Sequence, residues 1–185
     1  INKIFIDIIM NHDDATELKF YKYVRRHQEM TSVTIPDCIK KISGCTFHNF
    51  EKLMKVTIHP SLISIGKHVF EGCISLTDIK IPSSVIKISI CAFKGCISLV
   101  KISIPSSVKS IGNFAFSNCS KLAEITMDPY MTKIEEETFQ NCSSLKNLII
   151  SSSLSSINKF NFQLIGRLDA IFIQSYLTAQ VINSD

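Results

Sequence analysis

Seven cysteines and five histidines in 185 residues are the side chains with most chemistry to offer, as disulfides, metal ligands or nucleophiles. Four of the cysteines, Cys73, Cys96, Cys119 and Cys142, recur at one interval of 23 residues. That spacing lacks the C-x-x-C clustering of a zinc site. Stacked in a column, such residues have parallel Cβ vectors, which place the sulfurs poorly for bridging even where the Cα atoms are close. The four are therefore expected to point inward as reduced, metal-free thiols, since a buried free cysteine behaves as a small hydrophobe. A bridge within the column is the alternative. Cys38, Cys45 and Cys91 fall off the column, with Cys45 or Cys91 the candidate for an exposed thiol. An odd total without obvious pairs favours a reducing, intracellular compartment.

The histidines, His12, His27, His48, His59 and His68, show no H-E-x-x-H or other ligand spacing, and no two hold equivalent positions in the 23-residue period. They read as surface or turn residues. No G-x-S-x-G elbow, phosphate-cradling glycine loop or paired-carboxylate motif occurs. Glu135, Glu136 and Glu137 read as a solvated acidic turn. Asn118-Cys119-Ser120 and Asn141-Cys142-Ser143 match a glycosylation acceptor, but both are the repeat consensus around an inward cysteine. No catalytic residue, cofactor or metal is expected, and the chain reads as non-enzymatic.

What must position these residues is the period itself. Phe47, Phe70, Phe93, Phe116, Phe139 and Phe162 keep the 23-residue interval without a slip, and six residues after each comes Leu53, Leu76, Leu99, Leu122, Leu145 or Leu168. A fixed period of this size means a solenoid. In the unit beginning at Leu76, Ile79 and Ile81 alternate around Lys80, which is strand periodicity with the two isoleucines inward. Pro82 cannot donate a ladder hydrogen bond and ends the strand, as Pro36 and Pro105 do in theirs. Val85 and Ile88 return the chain to the core, and Ala92 and Phe93 set a ring behind the sheet. Stacked at about 4.8 Å, the units form a parallel sheet with identical residues in ladders. Phe70, Phe93, Phe116 and Phe139 should be buried and stacked in register.

Hydrophobic residues make up 45% of the chain and charged residues 19%, enough apolar material for a continuous core. The net charge of +4 is spread without a basic run, so nucleic acid is not implied. No run of eighteen apolar residues exists to span a membrane. Residues 1–29 read as an N-terminal cap, a strand in the apolar opening followed by a helix from about Ala15 to Gln28, N-capped at Asp13 or Asp14. The opening reads poorly as a signal peptide, with Asp7 inside its apolar run and no small-residue cleavage site. Residues 30–185 form the solenoid, six Phe-anchored units and a partial seventh. Leu168 to Tyr176 should add a seventh strand whose edge lacks a cap, so a further segment of chain or a partner protein is expected to cover it.

The pattern L-x-x-I-x-I-P-x-S-V-x-x-I-G-x-x-A-F-x-x-C, best kept in Leu99 to Cys119, resembles the BspA-like leucine-rich repeat family from about Met30 onward. Gly66 and Gly112 alone keep the glycine of that pattern. The resemblance implies an α/β-type repeat solenoid, a leucine-rich repeat arc with a parallel β-sheet on its concave face and short turns or helical pieces on its convex face. It also implies a protein-binding or adhesion module, often on cell or microbial surfaces, without a catalytic motif.

A ligand of such a solenoid usually lies on the concave sheet, so the residues between inward strand positions are the candidates. One row is Ser32, Lys55, Asp78, Lys101, Glu124 and Asn147, and the next is Thr34, Thr57, Lys80, Ser103, Thr126, Ile149 and Phe172. The partner-binding candidates are Lys55, Asp78, Lys80, Lys101, Glu124, Asn147, Ile149 and Phe172. Mixed charge and hydroxyls suit a protein partner, and the apolar turn at Ile149 and Phe172 hints at a contact. The alternatives are a scaffold docking end-on in a larger assembly and a cell-surface adhesin.

Overall fold

A computed structural model describes residues 27–127, 131 and 133–151 together with strand segments 17–18, 170–174 and 179–182; side chains are described for 27–127, 131 and 133–146. The units from Ser32 to Ile134 each lay down a front strand, four residues long except for the two-residue Asp78–Ile79, turn at a proline or an equivalent residue, and lay down a two-residue strand. The longer series is β2 (Ser32–Ile35), β4 (Lys55–Ile58), β6 (Asp78–Ile79), β8 (Lys101–Ile104), β10 (Glu124–Met127), β12 (Asn147–Ser151) and β13 (Ala170–Gln174). The short series is β1 (Glu17–Leu18), β3 (Lys41–Ile42), β5 (Ser64–Ile65), β7 (Lys87–Ile88), β9 (Ser110–Ile111) and β11 (Lys133–Ile134), followed at the end of the chain by β14 (Ala179–Ile182).

The short strands form one parallel sheet in the order β1-β3-β5-β7-β9-β11. The longer strands form two sheets, β2-β4-β6 and β14-β13-β12-β10-β8. The single front sheet expected from the period is therefore interrupted between β6 and β8. Pairing is in register by one period, as Lys55↔Asp78 and Lys101↔Glu124 show. A residue therefore meets its own equivalent in the next unit, which is what makes ladders of identical side chains.

The alternation predicted for the strands appears directly: β2, β4, β8 and β10 each read exposed, buried, exposed, buried. Phe47, Phe70, Phe93, Phe116 and Phe139 are fully buried. Their rings stack in succession at 5.4, 5.4, 5.2 and 5.8 Å between centroids, with interplanar angles of 2°, 17°, 2° and 11°. Phe50 closes the first rung, edge-on to Phe47 at 5.6 Å. The segment around each phenylalanine is turn, not helix, and it is laddered as tightly as the sheets. Phe47 N–H donates to Val69 O, Phe70 to Ala92 O, Phe93 to Ala115 O and Phe116 to Thr138 O, all at 2.8–2.9 Å.

Two differences concern the ends. Where a helix was expected from Ala15 to Gln28, Glu17–Leu18 is a strand paired in parallel with Lys41–Ile42, so the short-strand ladder begins one unit earlier than the phenylalanine period. Pairing with a preformed ladder outweighs the weak propensity of an isolated helix of this length. Residues 1–16 and 19–26 lie outside the described residues, as do Phe162, Ile165 and Leu168.

At the other end the expected seventh strand is β13, parallel to β12 through five residue pairs. Its outer edge is not left for another chain: β14 pairs with it antiparallel, Phe172 opposite Val181. Only residues 175–178 separate the two strands. A parallel neighbour needs a crossover of a dozen or more residues, so so short a link can only reverse the chain.

Candidate functional site

The front face carries the residues expected to meet a partner. Ser32, Lys55, Asp78, Lys101 and Glu124 are exposed, as are Thr34, Thr57, Lys80, Ser103 and Thr126 beside them. Between them Val33, Val56, Ile79, Ile102 and Ile125 are buried, so the apolar residues of the strands hold the polar row outward. Charge alternates down the first row, and Lys55 Nζ lies 3.7 Å from Asp78 Oδ2. Both side chains are largely in water, where such a pair contributes little to stability.

Asp78–Ile79 has a strand neighbour only on the Lys55 side, and Lys101–Ile104 only on the Glu124 side. Behind this interruption the molecule is continuous, since β7 pairs with β9 and the rings of Phe93 and Phe116 stack. The front alone opens, into a cleft of about 580 Å³. Asp78 and Lys80 line one side, Lys101 and Ser103 the other, with Glu124 and Thr126 beyond and Ile79, Ile81 and Ile102 at the floor. Four of the eight sequence-derived candidates, Asp78, Lys80, Lys101 and Glu124, are thus gathered round one opening. Lys55 stands one rung away beside Asp78. Asn147, Ile149 and Phe172 continue the sheet in β12 and β13, where Asn147 pairs with Ala170 and Ile149 with Phe172; their side chains lie outside the described residues.

The cysteines divide as the period indicates. Cys73, Cys96, Cys119 and Cys142 are buried and unbridged. Each donates its thiol hydrogen to the carbonyl of the phenylalanine 26 residues earlier, Phe47, Phe70, Phe93 or Phe116, at 3.1–3.2 Å. Burial pushes the thiols of Cys73 and Cys142 up to about 12, and those of Cys96 and Cys119 well above the usual range. Buried and with their hydrogens already donated to carbonyls, these four are poor nucleophiles and poor ligands. Of the two candidates for an exposed thiol, Cys91 is buried and Cys45 is half-buried.

A second polar cluster, which motif spacing did not reveal, lies on the turn segments around the phenylalanines. A ring nitrogen of His68, a carboxylate oxygen of Glu71 and the sulfur of Cys91 all lie within 4.8 Å of one another. His68 Nδ1 is 2.5 Å from Glu71 Oε2, Lys94 Nζ is 3.3 Å from Glu71 Oε1, and His48 Nε2 is 3.9 Å from Glu71 Oε2. Burial pushes the Glu71 carboxyl up, but the hydrogen bonds and charges of His68 and Lys94 outweigh it and leave the group below its ordinary value. The cluster joins residues three positions apart in one unit to residues of the units before and after. Only the 23-residue register, applied to unlike residues, makes it visible in sequence.

Stacked parallel strands, a one-period register and ladders of buried phenylalanine and leucine define a leucine-rich repeat solenoid. The BspA type leucine rich repeat region (6 copies) matches residues 18–89 and 64–184, and the chain belongs to that family. The match reaches back to Leu18, in keeping with the early strand β1. A leucine-rich repeat protein from Bacteroides ovatus is similar at 26% identity and a TM-score of 0.75, over 86% of this chain and 41% of that one. A leucine rich cell surface protein from Faecalibacterium prausnitzii is similar at 34% identity and a TM-score of 0.73, over 84% of this chain and 41% of that one. The leucine rich repeat protein of T. pallidum is similar at 27% identity and a TM-score of 0.64, over 65% of this chain and 59% of that one. The chain therefore spans less than two thirds of the length of each of these structures. No curated protein sequence matches it significantly. The family suggests a protein-interaction or surface repeat module. No helix among the described residues is long and apolar enough to cross a membrane.

Proposed function

We propose that this chain is a non-enzymatic protein-interaction module that receives its partner on the front, concave sheet, centred on the cleft between β6 and β8. The observation that carries the proposal is the coincidence of the interrupted front sheet with the mixed charges of Asp78, Lys80, Lys101 and Glu124. Polar side chains at the rim and isoleucines at the floor offer a partner charge pairing around a small apolar contact, the usual division between rim and core of an interface. Lys55 extends the surface on one side, and Asn147, Ile149 and Phe172 extend it on the other. The lining holds lysines, carboxylates and hydroxyls without a histidine or cysteine, which favours recognition over catalysis.

Cross-linking mass spectrometry and capture from the native source test this reading with the double variant Lys80→Glu/Lys101→Glu. Cross-links at the front face and loss of capture by the double variant, with unchanged far-UV circular dichroism, are expected. Capture unaffected by the double variant would overturn it.

A cell-surface adhesin is the second reading, favoured by likeness to the Faecalibacterium prausnitzii cell surface protein. Surface accessibility to protease or antibody in intact cells distinguishes it from an interior module. The end-on scaffold has less support at the C-terminal end, because β14 occupies the edge of β13.

A further inference from the structure

We propose that His68, Glu71 and Cys91 form a binding site for a divalent transition-metal ion of the zinc class, with water as the fourth ligand. Nitrogen, carboxylate oxygen and thiolate sulfur are the ligand types that zinc accepts together in a four-coordinate shell. Bond lengths of about 2.0–2.3 Å in such a shell imply ligand atoms about 3.3–3.8 Å apart. The three side chains, already within 4.8 Å of one another, need only a small closing movement.

Their backbones are held in place. His68 and Cys91 occupy the same position in successive units, both in the left-handed region with φ of 57° and 54°. Each is pinned by a hydrogen bond to the next unit, His68 N–H to Ile90 O at 2.9 Å and Cys91 N–H to Asn113 O at 3.0 Å. Left-handed conformation is costly for residues other than glycine and persists only where surrounding structure imposes it. The two ligand stems are therefore fixed before any ion arrives.

The thiol of Cys91 is a second, independent pointer. The four ladder thiols each donate to a phenylalanine carbonyl. The thiol of buried Cys91, by contrast, makes no hydrogen bond among the described residues and lies beside a carboxylate. With no hydrogen-bond partner the thiol contributes only its packing, and although burial and the Glu71 carboxylate push it up, a cation shared with Glu71 stabilises the thiolate. On binding, the Cys91 S–H proton leaves to solvent, the His68 ring gives up the Nδ1 proton it donates to Glu71 and holds its one remaining proton on Nε2, taken up from water if the ring was neutral, and the freed Nδ1 and sulfur lone pairs go to the ion. Lys94, whose side chain is 37% exposed, swings outward as the ion replaces it as countercharge to Glu71. Because His68 and Glu71 belong to one unit and Cys91 to the next, the ion clips two rungs together.

The test uses the reduced full chain titrated with Co²⁺, and with Zn²⁺ against a chromophoric chelator. One equivalent should bind, the cobalt form showing intense tetrahedral d–d absorption and a thiolate-to-metal charge-transfer band. Cys91→Ser should abolish that band, and His68→Asn, which preserves left-handed backbone, should weaken zinc at least about tenfold, as losses around metal sites do. Cys45→Ser, the same position one unit before His68, should change neither. If Cys91→Ser loses its far-UV circular dichroism, His68→Asn and Glu71→Gln decide the question by zinc affinity. Absence of stoichiometric binding at micromolar metal, or binding that all three variants leave intact, would overturn the proposal.

Discussion

The Sγ of Cys96 lies 3.2 Å from the carbonyl oxygen of Phe70, 26 residues earlier, and the same bond recurs from Cys119 to Phe93 at 3.1 Å. The cysteine column is thus more than apolar filling. Each thiol supplies a donor to a main-chain carbonyl in the buried turn of the preceding unit, and leaving such a group unpaired would cost about 1–3 kcal/mol.

Those thiols make stability depend on pH in the alkaline range. With Cys73 and Cys142 raised from 9.0 to about 12, the folded state holds its thiol protons where the unfolded state has released them. Their contribution is fully present below about pH 9 and is lost as pH rises towards 12. Denaturant titrations at pH 8, 9.5 and 10.5 should show a progressive fall, and Cys142→Ala should make the fall shallower by up to about 1.4 kcal/mol per pH unit. An unchanged slope in the variant would show that this thiol ionises alike in both states.

The ring stack predicts a large and local cost of truncation. Phe93 and Phe116 are fully buried, with ring centroids 5.2 Å apart. Either one replaced by alanine should lose about 3–5 kcal/mol in equilibrium unfolding. Hydrogen exchange should accelerate first in the units that flank the missing ring. A loss below about 1 kcal/mol would mean that the stack is not a principal part of the core.

Asn118 and Asn141 are left-handed, with φ of 61° and 60°, and Asn141 Nδ2 donates to Asn118 Oδ1 at 2.8 Å. Asn118→Gly should be tolerated within about 1 kcal/mol, because glycine adopts this backbone without strain. Asn118→Ala should lose about 1–2 kcal/mol, through strain together with the missing bond. Thermal or denaturant unfolding of the pair separates backbone from side-chain effects. Equal losses in both variants would assign the whole effect to the hydrogen bond.

Charge reversal on the front face should act on binding and hardly at all on folding. Lys101→Glu places a second carboxylate beside Glu124 in a solvated row, a change of less than about 1 kcal/mol by denaturant titration. Partner capture should fall in this variant and in rising salt, since exposed charges are screened within about 10 Å at 0.1 M. A loss of several kcal/mol would mean that the row holds the sheet together and is not an open recognition surface.

Much of this architecture was legible in the chain. The 23-residue interval from Phe47 to Phe139, the alternation around Val56, Ile79 and Ile102, and the inward column from Cys73 to Cys142 follow from one argument. A unit too small to bury its own apolar residues must stack on its copies, and stacking in register turns every sequence period into a ladder. The outward residues of the first and second rows followed by subtraction.

Tertiary structure decided what periodicity averages away. The front sheet parts between Asp78 and Lys101 although both units keep the same spacing, so the cleft is a property of two particular neighbours. Glu17–Leu18 is extended because Lys41–Ile42 offers it a ladder, a long-range reward that local helix signals do not register. β14 turns back along β13 because the link is too short for another parallel rung. Cys45, His68, Cys91, Phe114 and Glu137 share a left-handed position normally filled by glycine, and in the first four it is held by a hydrogen bond to the next unit and not by their own preferences. The meeting of His68, Glu71 and Cys91 has the same origin: residues unrelated in any motif become neighbours only because parallel stacking sets position 68 beside position 91.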